Sequence, residues 1–279
     1  MKKILSLLIA LAFLTFDSSA QEKVLKILAI GNSFSEDGIE NYLYDLAKAD
    51  QQPIIIGNMY IGGASIELHV KNSREDKASY SYRKVGLDGK KVTTKDVSIS
   101  QAIADENWDY ISLQQASPYS GQYNVIMKDL PELITYVKSL KKPHTKLLYH
   151  QTWAYQHDSK HAGFANYHNS QSKMYSGIVD ASKKINKIKD FVMVIPAGTA
   201  IQNARTSSQG DTYTRDGYHL ELNYGRFTAA CTWYEKLFGK DVRKNSYKPE
   251  KVTDLQAQIA KQAAHKAVKK PFKISKVNL

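Results

Sequence analysis

Val24-Leu25-Lys26-Ile27-Leu28-Ala29-Ile30-Gly31-Asn32-Ser33-Phe34-Ser35 is the stretch on which the fold turns. Its first seven residues form a short, almost continuous apolar run, the pattern of a strand covered on both faces. Gly31 ends the run, and apolar residues then recur at helical spacing over 39–49, at Ile39, Leu43, Leu46 and Ala47. Working outward, the same alternation repeats. Residues 54–60, 110–113, 146–150 and 191–195 read as four more buried strands, with helical patterns over 125–140 and within 160–187. Short apolar strands alternating with helices predict an α/β fold built on a mainly parallel five-stranded sheet. One stretch breaks the rhythm: 80–85 and 92–99 alternate apolar and polar residues about Gly86-Leu87-Asp88-Gly89-Lys90, which predicts an inserted β-hairpin near 80–99.

Composition agrees with a folded domain. The 279 residues are 42% hydrophobic and 24% charged, which excludes collagen-like, low-complexity and disordered chains. The lone cysteine, Cys231, excludes an internal disulfide framework and a multi-cysteine zinc site. It falls on the apolar face of a helix expected after Asn223, with Phe227, Ala230, Tyr234 and Leu237, so packing is its expected role. A further helix is expected from Thr253, with Gln256 completing a capping box.

The N-terminus reads as an address. Lys2 and Lys3 precede an apolar run over 4–16 and then Asp17-Ser18-Ser19-Ala20, the order of a secretory signal peptide cleaved after Ala20. The run is shorter than a membrane span needs, and no cysteine follows it for lipid attachment. The expectation is an exported protein, periplasmic or secreted, without a stable membrane anchor, whose residues 21–279 form a single domain.

Lys and Arg outnumber Asp and Glu by 39 to 27. Residues 236–279 hold twelve basic residues against three acidic ones, so the surplus sits in a basic helical tail, about 240–279. That segment lacks the interleaved aromatics of a single-strand groove, and nucleic acid is not expected as a partner. A solvated helix face explains it.

Two local patterns carry chemistry. Gly31-Asn32-Ser33-Phe34-Ser35 lies between the first strand and its helix, at the carboxyl end of the sheet where ligands bind in open α/β folds. A serine there presents both a hydroxyl and an N–H at a helix start, suiting a nucleophile with one oxyanion donor; Ser33 or Ser35 as a plain helix cap is the structural alternative. Asp216-Gly217-Tyr218-His219 supplies the rest: a histidine to take the serine proton and a carboxylate three residues earlier to orient it. His157 and His161 are four apart, with Asp158 between and His168 beyond, but no third ligand stands at a convincing spacing. No metal and no cofactor are expected.

Together GNSFS, Ile61-Gly62-Gly63-Ala64-Ser65 and Asp216–His219 resemble the blocks of the SGNH (GDSL-like) hydrolases. TWAY at 152–155 and IPAGTAIQNAR at 195–205 resemble segments of an exported bacterial branch, and the likeness runs over about 25–238. The resemblance implies a flavodoxin-like three-layer α/β/α sandwich. It implies Ser33 as nucleophile, His219 as general base and Asp216 as its orienting acid. It also implies an oxyanion hole from the Ser33 N–H, a glycine N–H at Gly63 (Gly62 second), and an asparagine side chain after the third strand. Here that asparagine is absent, and Gln114 or Gln115 stands in its place. Asn32 likewise replaces the family's usual Asp.

The function so implied is a serine esterase releasing short O-acyl groups, chiefly acetyl, from a carbohydrate or other small ester. Trp153 and Tyr155 either stack on a sugar ring or simply pack, and Arg205 either binds a carboxylate or pairs with an acid. A lipase or thioesterase on the same triad and a non-catalytic glycan-binding module are the alternatives. Oligomeric state is not legible.

Overall fold

The computed structural model describes residues 23–279. The expected export segment, 1–20, lies outside the described residues. In chain order the elements are β1 (Leu25–Gly31), α1 (Ser33–Ile39), α2 (Leu43–Ala49), β2 (Ile54–Tyr60), α3 (Ile66–Arg74), β3 (Tyr80–Val85), β4 (Lys91–Val97), α4 (Ile99–Asp105), β5 (Tyr110–Leu113), α5 (Tyr123–Leu140), β6 (Lys146–His150), α6 (Gln171–Ile185), β7 (Phe191–Ile195), α7 (Ala197–Ala204), α8 (Tyr224–Phe238) and α9 (Asp254–Lys269).

The sheet has seven strands in the order β4-β3-β2-β1-β5-β6-β7. Its five-stranded body is parallel, as the apolar runs predict, and β1, the middle strand of the seven, pairs Ile27 with Ile56 on one side and Tyr110 on the other. The expected hairpin, β3 and β4, is inserted in the chain between β2 and β5. β3 pairs antiparallel with β2, and β4 with β3, so the hairpin extends one edge of the same sheet. All but the last residue of β4 is exposed, and Lys91 and Lys95 sit on it, which blunts the open edge against further pairing.

Alternation along the strands sorts the core into two layers. Leu28 and Ile30 of β1 face α3, α4, α5 and α6; Ile27 and Ala29 face α1, α2, α8 and α9. This is the α/β/α sandwich. A third apolar cluster, with Phe34, Trp153, Tyr155, Met174 and Ile201, closes the carboxyl end of the parallel strands beneath the candidate site.

Several local expectations change. The helical pattern over 39–49 resolves into α1 and α2, interrupted at Tyr42, whose φ of 63° is left-handed. The polar segment 160–187 becomes a 3-10 turn, Ala162–Tyr167, followed by α6. Sequence reading missed α3, α4 and α7, short helices whose apolar residues show little run length. Thr253 and Gln256 form the expected capping box on α9. Asn223 stands at the N-cap of α8, yet its amide donates to Glu221 at 2.8 Å instead of capping. Cys231 is fully buried in α8, and burial pushes its thiol pKa up. The basic tail does more than present charge: α9 buries Ile259 and five alanines against the core. Among the described residues no helix is long and apolar enough to cross a membrane.

Candidate active site

Gly31 ends β1 where a Cβ would collide with Ser35 Oγ, so only glycine lets the chain turn here directly into α1. Asn32 is extended and caps α1, its Oδ1 accepting the Phe34 N–H at 2.9 Å. Ser33 is the first residue of the helix, and among the described residues its N–H has no partner. The two serines of the motif part company. Ser35 is fully buried, with Oγ 2.7 Å from the Asn32 carbonyl and 2.8 Å from Asn58 Oδ1, and therefore braces the turn. Ser33 is the one that faces the cleft.

The loop bearing Asp216 and His219 is closed by a bridge between Thr214 and Leu220, with Gly217 at φ 90° supplying its left-handed turn. Asp216 Oδ1 accepts the N–H groups of Tyr218 (3.1 Å) and His219 (2.8 Å), and its Oδ2 lies 2.6 Å from His219 Nδ1. A carboxylate on Nδ1 fixes the tautomer, leaving Nε2 to face Ser33 Oγ at 2.8 Å. Burial alone would raise the Asp216 pKa, but the hydrogen bonds from His219 and the loop backbone outweigh it and hold the carboxyl below its ordinary value. Ser33, His219 and Asp216, drawn from segments over 180 residues apart, thus form one continuous hydrogen-bonded line. Such a line can move a proton off the serine hydroxyl as it attacks an electrophile.

A residue that sequence reading missed ties this loop to the nucleophile helix. Asp37 is fully buried one turn after Ser33. It accepts from Leu220 N (2.8 Å), Arg226 Nε (2.7 Å) and Arg215 Nη1 (3.1 Å), and Arg215 reaches on to the Leu220 carbonyl. The available signal was an Asp one turn after Ser33 and an Arg immediately before Asp216.

Five of the expected site residues lie elsewhere. Neither glutamine lines the cleft. Gln114 donates from Nε2 to Asn32 Oδ1 at 2.8 Å and accepts at Oε1 from His150 Nδ1 at 2.8 Å, which places it behind the nucleophile turn. Gln115 Oε1 accepts the N–H groups of Ile66 (3.0 Å) and Ala116 (2.8 Å). Of the oxyanion candidates only the Ser33 N–H and the Gly62–Gly63 backbone border the cleft. Trp153 and Tyr155 are 0% exposed and offer no face to a sugar. Trp153 stacks on Phe34 (4.4 Å, 12°) and donates to the Tyr218 carbonyl at 2.8 Å; Tyr155 bonds Ser117 Oγ at 2.8 Å. Arg205 is buried and lies 2.6 Å from Asp211, so it pairs with an acid; burial lowers its pKa to about 10 against the opposing pull of Asp211.

The cleft around Ser33 and His219 encloses about 380 Å³, and its aromatic walls are Phe34, Tyr60, Tyr218 and His161. His157 leaves the histidine group to pair with Asp211 at 2.8 Å. Among the described residues three potential metal ligands converge only at Glu235, Asp241 and His265, where His265 Nδ1 lies 2.8 Å from Glu235 and Arg243 neutralises Asp241.

Residues 26–267 match the model of a domain of unknown function, DUF4886. The chain belongs to the DUF4886 family. A crystal structure of a DUF4886 family protein from Bacteroides uniformis is 50% identical, covers 91% of this chain and 98% of its own, and superposes with a TM-score of 0.90. A protein from Slackia heliotrinireducens, proposed by its description to be an SGNH hydrolase, is 18% identical, covers 77% of this chain and 100% of its own, and has a TM-score of 0.50. No curated protein matches this chain. This DUF4886 protein therefore has an SGNH-like fold, whose sheet carries the β3–β4 hairpin at one edge.

Proposed function

We propose that this DUF4886 protein is a serine esterase that releases short acyl groups, acetyl foremost, from a carbohydrate or similarly oxygenated alcohol. The observation that carries the reading is the alignment of Ser33 Oγ, His219 and Asp216 at 2.8 and 2.6 Å along one wall of an open cleft. Ser33 Oγ bonds to the ester carbonyl carbon as its proton passes to His219 Nε2. The developing oxyanion is received by the N–H groups of Ser33 and Gly63. Collapse breaks the ester C–O bond, His219 returns the proton to the departing alcohol, and water activated by the same histidine then releases the acid.

A cleft of about 380 Å³ lies near the lower end of small-molecule sites, which favours a short acyl chain over a fatty one. Export, read from the first twenty residues, would bring the enzyme to extracellular or periplasmic glycans. The test is Ser33→Ala assayed on p-nitrophenyl acetate, with a loss of at least about a thousandfold expected. Turnover near wild type would sink the assignment. A chain-length series of p-nitrophenyl esters decides against a lipase: rates should fall steeply beyond butyrate.

A further inference from the structure

One wall of the cleft carries a hydrogen-bond donor that no other described residue uses. Tyr218 lies against His219, ring centroids 4.1 Å apart, and His161 meets Tyr218 edge to face at 4.6 Å. Tyr155 backs the His161 ring at 4.9 Å, so two aromatic neighbours fix it. His161 Nδ1 accepts the Gly163 N–H at 3.0 Å. A ring nitrogen that accepts carries a lone pair, so the neutral imidazole bears its proton on Nε2. Burial, and then the neighbouring His219, push the His161 pKa down, with Asp216 opposing, which favours that neutral ring. Among the described residues Nε2 has no partner, and His161 borders the same cleft as Ser33.

His219 must deliver its proton to the leaving alcohol, and the Tyr218 ring links it to His161, both histidines bordering the same cleft. We infer that His161 Nε2–H, beside the Tyr218 ring, forms an alcohol-side subsite that selects an alcohol bearing a hydroxyl or ether oxygen next to the scissile ester, as a pyranose does. The inference rests on the esterase reading and names a specificity-determining residue for it. A neutral donor rewards an uncharged oxygen acceptor, and a substrate without that oxygen forgoes the bond.

The experiment measures kcat/KM of the wild-type protein, His161→Ala and His161→Gln on mono-O-acetylated methyl glucopyranosides and on p-nitrophenyl acetate, whose leaving group has no such oxygen. The pyranoside-to-aryl ratio should fall about tenfold in His161→Ala and return to within about threefold of wild type in His161→Gln, whose amide restores an N–H. An unchanged ratio in His161→Ala overturns the subsite, as does a wild-type enzyme that cleaves the aryl ester and none of the pyranosides. Ser33→Ala run in parallel separates the two ideas: aryl esterase activity surviving there removes the esterase reading itself, whatever His161 does.

Discussion

Two buried clusters hold the candidate triad from different sides, and they are made of opposite chemistry. Behind the nucleophile runs a neutral chain, Asn32 to Gln114 to His150, each residue at most 2% exposed. Under the acid–base loop lies a charged knot, Asp37 with Arg215 and Arg226, in which the carboxylate is fully buried. The neutral chain places one turn through directional amide bonds and leaves no net charge to be solvated. The charged knot spans three segments, α1, the loop and α8; both arginines pair with Asp37, and Arg226 also lies 3.7 Å from Glu36. Removing one member of an ion group strands the rest, whereas removing one amide costs about a hydrogen bond.

That contrast can be broken at several points. The largest effect is expected at Asp37→Ala, which leaves Arg215 without its counter-charge and Arg226 with only Glu36, 3.7 Å away. Loss of about 3–5 kcal/mol in denaturant unfolding is expected, with slackened activity as the loop loses its anchor. A loss under about 1 kcal/mol would mean the arginines find solvent or another acid, and the knot would not be a clamp.

Next comes Gln114→Met, which keeps the volume and removes both hydrogen bonds. Stability should fall by about 1–3 kcal/mol, because His150 Nδ1 is left without an acceptor, and kcat should fall about tenfold. A hundredfold or greater fall in kcat at unchanged stability is instead the mark of a lost oxyanion donor, and would return Gln114 to the reaction centre.

The last test is a slope. Burial lowers the pKa of His150 to about 3 and that of His69 to about 4, from 6.5. Between those values and 6.5 the unfolded chain binds protons that the folded one refuses, so their stabilising contribution is whole above about pH 6.5 and is lost as the pH falls towards 4. Unfolding free energies at pH 7 and 4.5 should show that decline, and His150→Gln should make it shallower. An identical slope in the variant would show that His150 does not titrate on unfolding.

Much of the site was legible because its decisive patterns are local. GNSFS joins a strand to a helix within five residues, and Asp216 and His219 share one tight loop, so chemistry and spacing are visible together. The glutamines, Trp153, Tyr155 and Arg205 were misplaced for a common reason. Each sits just beyond a strand or helix at the carboxyl end of the sheet, where residue type alone suits either a cleft or a core. Gln114 turns inward because β5 lies between β1 and β6, setting Asn32 on one side and His150 on the other. Trp153 turns inward because Phe34 already offers it a ring to stack on. His161, set aside as a weak metal ligand, borders the cleft because a short turn brings it against Tyr218.

By itself the sequence determined the parallel core, since continuous apolar strands alternating with helices bury both faces of a sheet in essentially one way. It also determined which serine, histidine and aspartate could meet at the sheet's carboxyl end. Only the tertiary structure decided that the hairpin extends the sheet, that Asp37 clamps the loop, and which aromatics line the cleft. Those outcomes depend on pairings between residues far apart in the chain, and a side chain's exposure follows from what packs over it and cannot be read from its own identity.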